Sequence, residues 1–166
     1  MDRYTTFDGI GIAFDVRGEG PTAVLLHGFA ADADTNWVRP GVVDALVDAG
    51  RRVVTYDARG HGRSDKPHDA DAYAGDAMIR DARGLLDHLG LDAVDVVGYS
   101  MGSMVASQLA GADGRVRSVV LGGIGAGCPE ASGHISSATS RRCRRPPAAG
   151  RGRHPDVSVS PSPGRH

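Results

Sequence analysis

Cysteine is scarce in this chain: 166 residues carry 2, Cys128 and Cys143, and the first 127 carry none. A disulfide-stapled fold is thereby excluded for that stretch, and nothing points to an oxidising compartment. Lysine is scarcer still, since only Lys66 among the 19 basic residues is not arginine. With abundant alanine, glycine and aspartate, that imbalance reads as the signature of a GC-rich coding sequence rather than selection for anion binding. Long apolar runs are missing too, so no membrane-spanning helix is expected. The opening residues, Met1-Asp2-Arg3-Tyr4-Thr5-Thr6, lack the basic and then apolar character of a signal peptide, which makes a cytoplasmic location the expectation. There is no phosphate-binding G-x-x-x-x-G-K-[ST] loop, and Gly122, Gly123, Gly125 and Gly127 do not have dinucleotide-binding spacing. No His/Cys set has metal-ligand spacing, so neither cofactor nor metal is expected.

The formal net charge of −1 conceals two unlike parts. Residues 1–127 hold 18 acids against 12 basic residues, a balance of −6, whereas 128–166 hold 2 acids against 7 arginines, a balance of +5. The second part also has 7 serines and 6 prolines, with Ile135, Val157 and Val159 as its only large aliphatic residues. Such a segment buries too little surface to offset its ordering entropy. The division expected is a folded domain over 1–127 and an irregular Arg/Pro/Ser-rich tail over 128–166. That tail is either a disordered basic segment or, the reading preferred here, a stretch read out of frame after Gly127. Its arginines have no interleaved aromatics, so nucleic acid is not expected as a partner.

Periodicity in the first part gives an order of elements. Residues 3–16 alternate around Asp8-Gly9 and predict a hairpin with Ile10, Ile12 and Phe14 on one face. Buried-strand runs follow at 22–26, 52–56, 93–97 and 115–121. Between them, helical spacing predicts a helix from Pro40 to Gly50 and another over 75–89 built on Met78, Ile79, Ala82, Leu85, Leu86 and Leu89. A third helix is predicted after residue 100, where Met101, Met104, Val105 and Leu109 recur at helical spacing. A hairpin feeding a wound, mostly parallel sheet of about six strands is the α/β class that results.

Three motifs sit on this frame. The most informative is Gly98-Tyr99-Ser100-Met101-Gly102, between a strand and a helix. A serine on so tight a turn is forced into a strained conformation, and glycine on either side removes collisions with the crossing strand and helix. Upstream, Thr22-Ala23-Val24-Leu25-Leu26 runs into His27-Gly28-Phe29, and Arg52-Val53-Val54-Thr55-Tyr56 runs into Asp57-Ala58-Arg59-Gly60-His61-Gly62-Arg63-Ser64-Asp65.

Together these motifs make residues 3 to about 124 resemble the α/β-hydrolase superfamily, on the side of its serine esterases, perhydrolases and lactonases. The resemblance implies an α/β-hydrolase fold without its C-terminal strands and helices. It implies Ser100 as nucleophile, the backbone N–H groups of Phe29 and Met101 as an oxyanion hole, and Gly98 and Gly102 as the glycines of the elbow. His27, Gly28 and Trp37 would stand around the pocket, with His27 shaping its loop rather than acting as a base. Asp57 and His61 belong to a structural motif in such proteins. The triad acid and histidine would come after residue 121, where nothing matches; His134, His154, His166 and Glu130 are the residues at hand there, and none is assigned. A serine nucleophile argues against the haloalkane- and epoxide-cleaving branches, which use aspartate. The implied substrate is a small carboxylic ester, thioester or lactone, taken without a cofactor, by a chain of doubtful activity. The competing reading is an inactive pseudo-hydrolase fragment or a non-enzymatic binding protein. Self-association through an open sheet edge is expected in either case.

Overall fold

The computed structural model describes residues 1–124. The hairpin forms β1 (Asp2–Thr5) and β2 (Gly11–Arg17), and β3 (Thr22–Leu26) follows. Helix α1 (Val42–Asp48) leads to β4 (Arg52–Tyr56), α2 (Ala77–His88) to β5 (Val94–Tyr99), and α3 (Met101–Ala112) to β6 (Val116–Gly122). All nine elements match the order and type that the periodicity predicts. Two short helical turns, Asp34–Val38 and Ala70–Tyr73, carry no apolar period and were not predicted.

The six strands form one sheet in the order β1-β2-β4-β3-β5-β6. The pairs β1–β2 and β2–β4 are antiparallel; β4–β3, β3–β5 and β5–β6 are parallel. From β3 the chain crosses one way to β4, and from β5 it continues the other way to β6. The strand order therefore reverses beside β3, which leaves a crevice beyond the carboxyl ends of β3 and β5.

The sheet is apolar on both faces because helices cover both. On one side Leu85, Leu86, Val105, Ala106 and Leu109 pack on Ile12, Phe14, Val24, Val54, Val94 and Val96. On the other, Val43 and Trp37 pack on Ala23, Leu25 and Val53, with Val42, Leu46 and Val47 at the margin. Trp37 packs within this second cluster, only 7% exposed, and its indole Nε1–H has no acceptor among the described residues.

Helix α3 buries one face against the sheet. Its buried face is Gly102, Ser103, Val105, Ala106 and Leu109, whereas Met104 is 51% exposed. Small residues let the helix approach the sheet closely, so the buried stripe follows the smallest side chains.

Candidate active site

Three loops, each following a strand, meet beyond the carboxyl ends of β3, β4 and β5. After β5 the chain turns into α3 within one residue, Ser100, whose φ of 51° and ψ of −114° lie outside the regions open to most L-residues. Such a conformation costs about 1–3 kcal/mol and persists only where its surroundings enforce it. A Cβ on Gly98 would lie 2.4 Å from the Gly102 carbonyl oxygen, and one on Gly102 would lie 2.1 Å from the Leu26 oxygen. Backbone that cannot yield occupies both places, so only glycine fits either position.

Beside the turn stands His27-Gly28-Phe29. The register pairs Leu26 with Gly98, which delivers the residues after Leu26 to the level of Ser100. Contact follows from that register: a Cβ on Gly28 would be 3.4 Å from the Ser100 Cβ. The Gly28 N–H donates to Asn36 Oδ1 at 2.8 Å, so the unpredicted turn Asp34–Val38 anchors the loop. Phe29 follows with its ring 76% exposed, and Ala30 takes a φ of 56°. Neither the Phe29 N–H nor the Met101 N–H has an acceptor among the described residues. The Ser100 hydroxyl likewise has no hydrogen-bond partner among the described residues.

His27 is 2% exposed and both of its ring nitrogens are committed. Nδ1 donates to the Gly28 carbonyl at 2.8 Å, and Nε2 accepts the Ala58 N–H at 2.9 Å. That pair of bonds fixes the neutral tautomer with its proton on Nδ1. Burial pushes the imidazole below its ordinary range, partly opposed by the bond to Gly28. His27 shapes the loop and has no lone pair left for a substrate proton.

The segment after β4 is equally occupied by structural work. Asp57 accepts the Ala33 N–H at 2.9 Å and the Arg63 N–H at 2.8 Å, binding two loops with one carboxylate. Ser64 Oγ accepts the Ala13 N–H at 2.9 Å, and Asp65 accepts the Gly11 N–H at 2.7 Å, so the motif is stitched to the hairpin. Arg59 is fully buried and clasps Asp81 of α2 through two 2.6 Å bonds. It also meets Asp8 at 2.9 and 3.1 Å and donates to the Ala72 carbonyl. The two carboxylates hold the guanidinium charged despite its burial, Asp81 contributing most. His61 rests its ring 5.2 Å from His27 and 5.7 Å from Phe29, with Nδ1 against the Arg59 carbonyl.

A wound sheet whose strand order reverses beside β3, with a strained serine turn at that reversal, decides the relationship. The chain belongs to the α/β-hydrolase family. The model for the alpha/beta hydrolase fold matches residues 21–148, beyond the point near 124 where the motif resemblance ends. A non-heme chloroperoxidase, CPO-A1 of Kitasatospora aureofaciens, is 37% identical over 123 residues, 73% of this chain and 43% of that protein. An sn-1-specific diacylglycerol lipase of Mus musculus is 44% identical over 91 residues, 54% of this chain and 28% of that one. Among solved structures, the bottromycin epimerase BotH in complex with bottromycin A2 superimposes with a TM-score of 0.67 at 32% identity, covering 72% of this chain and 47% of that one. Epoxide hydrolase A from Mycobacterium thermoresistibile gives 0.65 at 32% identity over 72% and 37%. The α/β-hydrolase chain described here spans less than half the length of these relatives.

Several residues at the α/β-hydrolase site were not singled out in the sequence. Asn36 and Arg59 belong to this group, as does Ser103, a fully buried residue of α3 hydrogen-bonded to the ends of both β5 and β6. Arg59 reaches Asp81, 22 residues on, and Ser103 reaches Gly122, 19 residues on, while Asn36 and Gly28 meet across a loop with no repeating pattern, so no local spacing announces these roles; the signal at Ser103 is a polar residue at a buried helix position. His134, His154, His166 and Glu130 lie outside the described residues.

Proposed function

We propose that Ser100 is the nucleophile of a serine hydrolase acting on a small carboxylic ester, thioester or lactone. One observation carries the reading: the serine is held at φ 51° on a turn that two glycines alone make possible. Such strain is kept where chemistry uses it. In this reading Ser100 Oγ attacks the acyl carbon while a base takes its proton, giving a tetrahedral intermediate. The Phe29 and Met101 N–H groups receive the developing oxyanion, and their freedom from other acceptors suits them to that task. Collapse of the intermediate expels the alcohol or thiol and leaves an acyl-enzyme for water to hydrolyse.

A second reading, an inactive hydrolase-fold fragment or binding protein, is favoured by a different observation. No histidine among the described residues is hydrogen-bonded to Ser100 Oγ: His27 is committed at both nitrogens, and His88 packs against Tyr4 and Phe14. Without a base, turnover falls by a factor of order 10⁴ to 10⁶. The chain is therefore expected to hydrolyse p-nitrophenyl acetate and butyrate at close to the background rate. Robust turnover that Ser100→Ala abolishes would show a base within this chain and remove the second reading. Fluorophosphonate labelling followed by peptide mass spectrometry tests the nucleophile itself. Slow modification confined to Ser100 is expected, and reaction elsewhere with none at Ser100 would refute the assignment.

A further inference from the structure

Glycines at 98 and 102 permit the turn at Ser100, but permission does not hold a strained residue in place. The bonds that enforce it converge on Gly122, the last residue of β6. The Ser100 N–H donates to the Gly122 carbonyl at 2.8 Å. Ser103, one turn into α3, carries a fully buried hydroxyl that stands 2.7 Å from the Gly98 carbonyl and 2.8 Å from the Gly122 carbonyl. It also accepts the Gly122 N–H at 3.1 Å. A hydroxyl has one proton and two lone pairs, so Oγ accepts from Gly122 while its proton serves the two carbonyls in turn.

Those contacts bind the residue that opens the elbow, Gly98, to the residue that anchors it, Gly122, through a side chain on the helix between them. We propose that Ser103 is a positioning residue for Ser100: its hydroxyl clamps the ends of β5 and β6 together and keeps the Gly122 carbonyl where it can accept the Ser100 N–H. The Tyr99 ring lies against the outside of the same junction, with its Cε2 2.8 Å from where a Cβ on Gly123 would stand. The clamp therefore acts from the buried side and the ring from the exposed one. Loss of the Ser103 hydroxyl frees Gly122 to move: the Gly98 carbonyl and the Gly122 N–H lose this partner, and the Gly122 carbonyl is left to the Ser100 N–H. The purely structural alternative, a buried serine that satisfies helix and strand ends, predicts a general loss of stability with no preference for the elbow.

The proposal rests on Ser100 being the nucleophile, so its test has one arm that depends on that reading and one that does not. In the independent arm, amide hydrogen exchange of the full chain is compared with Ser103→Ala and Ser103→Thr. Ser103→Ala is expected to lower protection at Ser100 and Gly122 tenfold or more while amides of β3 and β4 keep theirs, and Ser103→Thr is expected to restore part of it. Equal protection in the alanine variant, or a uniform loss across the sheet, would overturn the clamp. In the dependent arm, fluorophosphonate modification of Ser100 is timed in the same proteins, and a tenfold or greater slowing in Ser103→Ala is expected. An unchanged labelling rate beside lost protection would show that the clamp does not position the nucleophile and would refute the proposal. A parent chain that gives no Ser100 adduct, with the exchange pattern as expected, would sink the nucleophile and with it the clamp's role in positioning one.

Discussion

Arg59 shows how a single side chain can hold three segments, since the hairpin turn, the Ala70–Tyr73 turn and α2 all meet its guanidinium. Replacing it with methionine would fill a similar volume but strand Asp81, which is 2% exposed, without its counter-charge. Breaking one side of a buried pair costs about 3–5 kcal/mol, so Arg59→Met should lower the urea midpoint sharply. Asp8→Asn should cost less, because Asp8 keeps solvent access and Arg59 retains Asp81. His27 sets a pH dependence of definite sign. Its folded pKa lies below the unfolded value of about 6.5, so the neutral ring stabilises the fold above that pH. As pH falls through this range and toward the folded pKa, the unfolded chain binds the extra proton and the contribution is lost. Thermal midpoints measured between pH 8 and 5 should decline, and His27→Gln should flatten the slope.

Elements were legible where a repeating pattern of one residue class produced them. Strands β3 and β4 are short and buried on both faces, β5 alternates buried with half-buried residues, and α2 keeps its apolar spacing from Met78 to Leu86. The serine turn was legible because steric exclusion leaves glycine as the only choice at fixed positions. Turn Asp34–Val38 was not, since it is held by a tertiary bond from Gly28 to Asn36 rather than by a stripe of its own. What a side chain touches depends on how closely its helix approaches the sheet, and local sequence does not encode that distance. Two glycines of α3 make the point testable. Gly102→Ala would drive a methyl into the Leu26 carbonyl and should destabilise by about 1–3 kcal/mol or more. Gly111, near the other end of the helix, has open space where a Cβ would go. Gly111→Ala should therefore stabilise by about 0.5–1 kcal/mol. Equilibrium unfolding of the two variants gives opposite shifts if the helix approaches the sheet only at its first turn.

At the scale of the molecule, the two edges of the sheet are unlike. Strand β1 is short and carries Asp2 and Arg3, a guarded edge, whereas β6 leaves Val120 59% and Leu121 41% exposed with no strand beyond it among the described residues. Its one charged residue, Arg117, is tied back to Asp95 at 2.9 Å. An unguarded edge of that composition pairs with other strands. The chain is therefore expected to elute as concentration-dependent oligomers in size-exclusion chromatography, with Val120→Lys shifting it toward monomer. A monodisperse monomer with a cooperative thermal transition would contradict this. The bond from Ser100 to Gly122 also fixes a sequence of events in time. During synthesis the serine leaves the ribosome before its anchor does, so every nascent chain that stops short of Gly122 carries the motif without the carbonyl that strains it. Until β6 has emerged and docked, the Ser100 N–H lacks that acceptor and the elbow lacks the bond that anchors it.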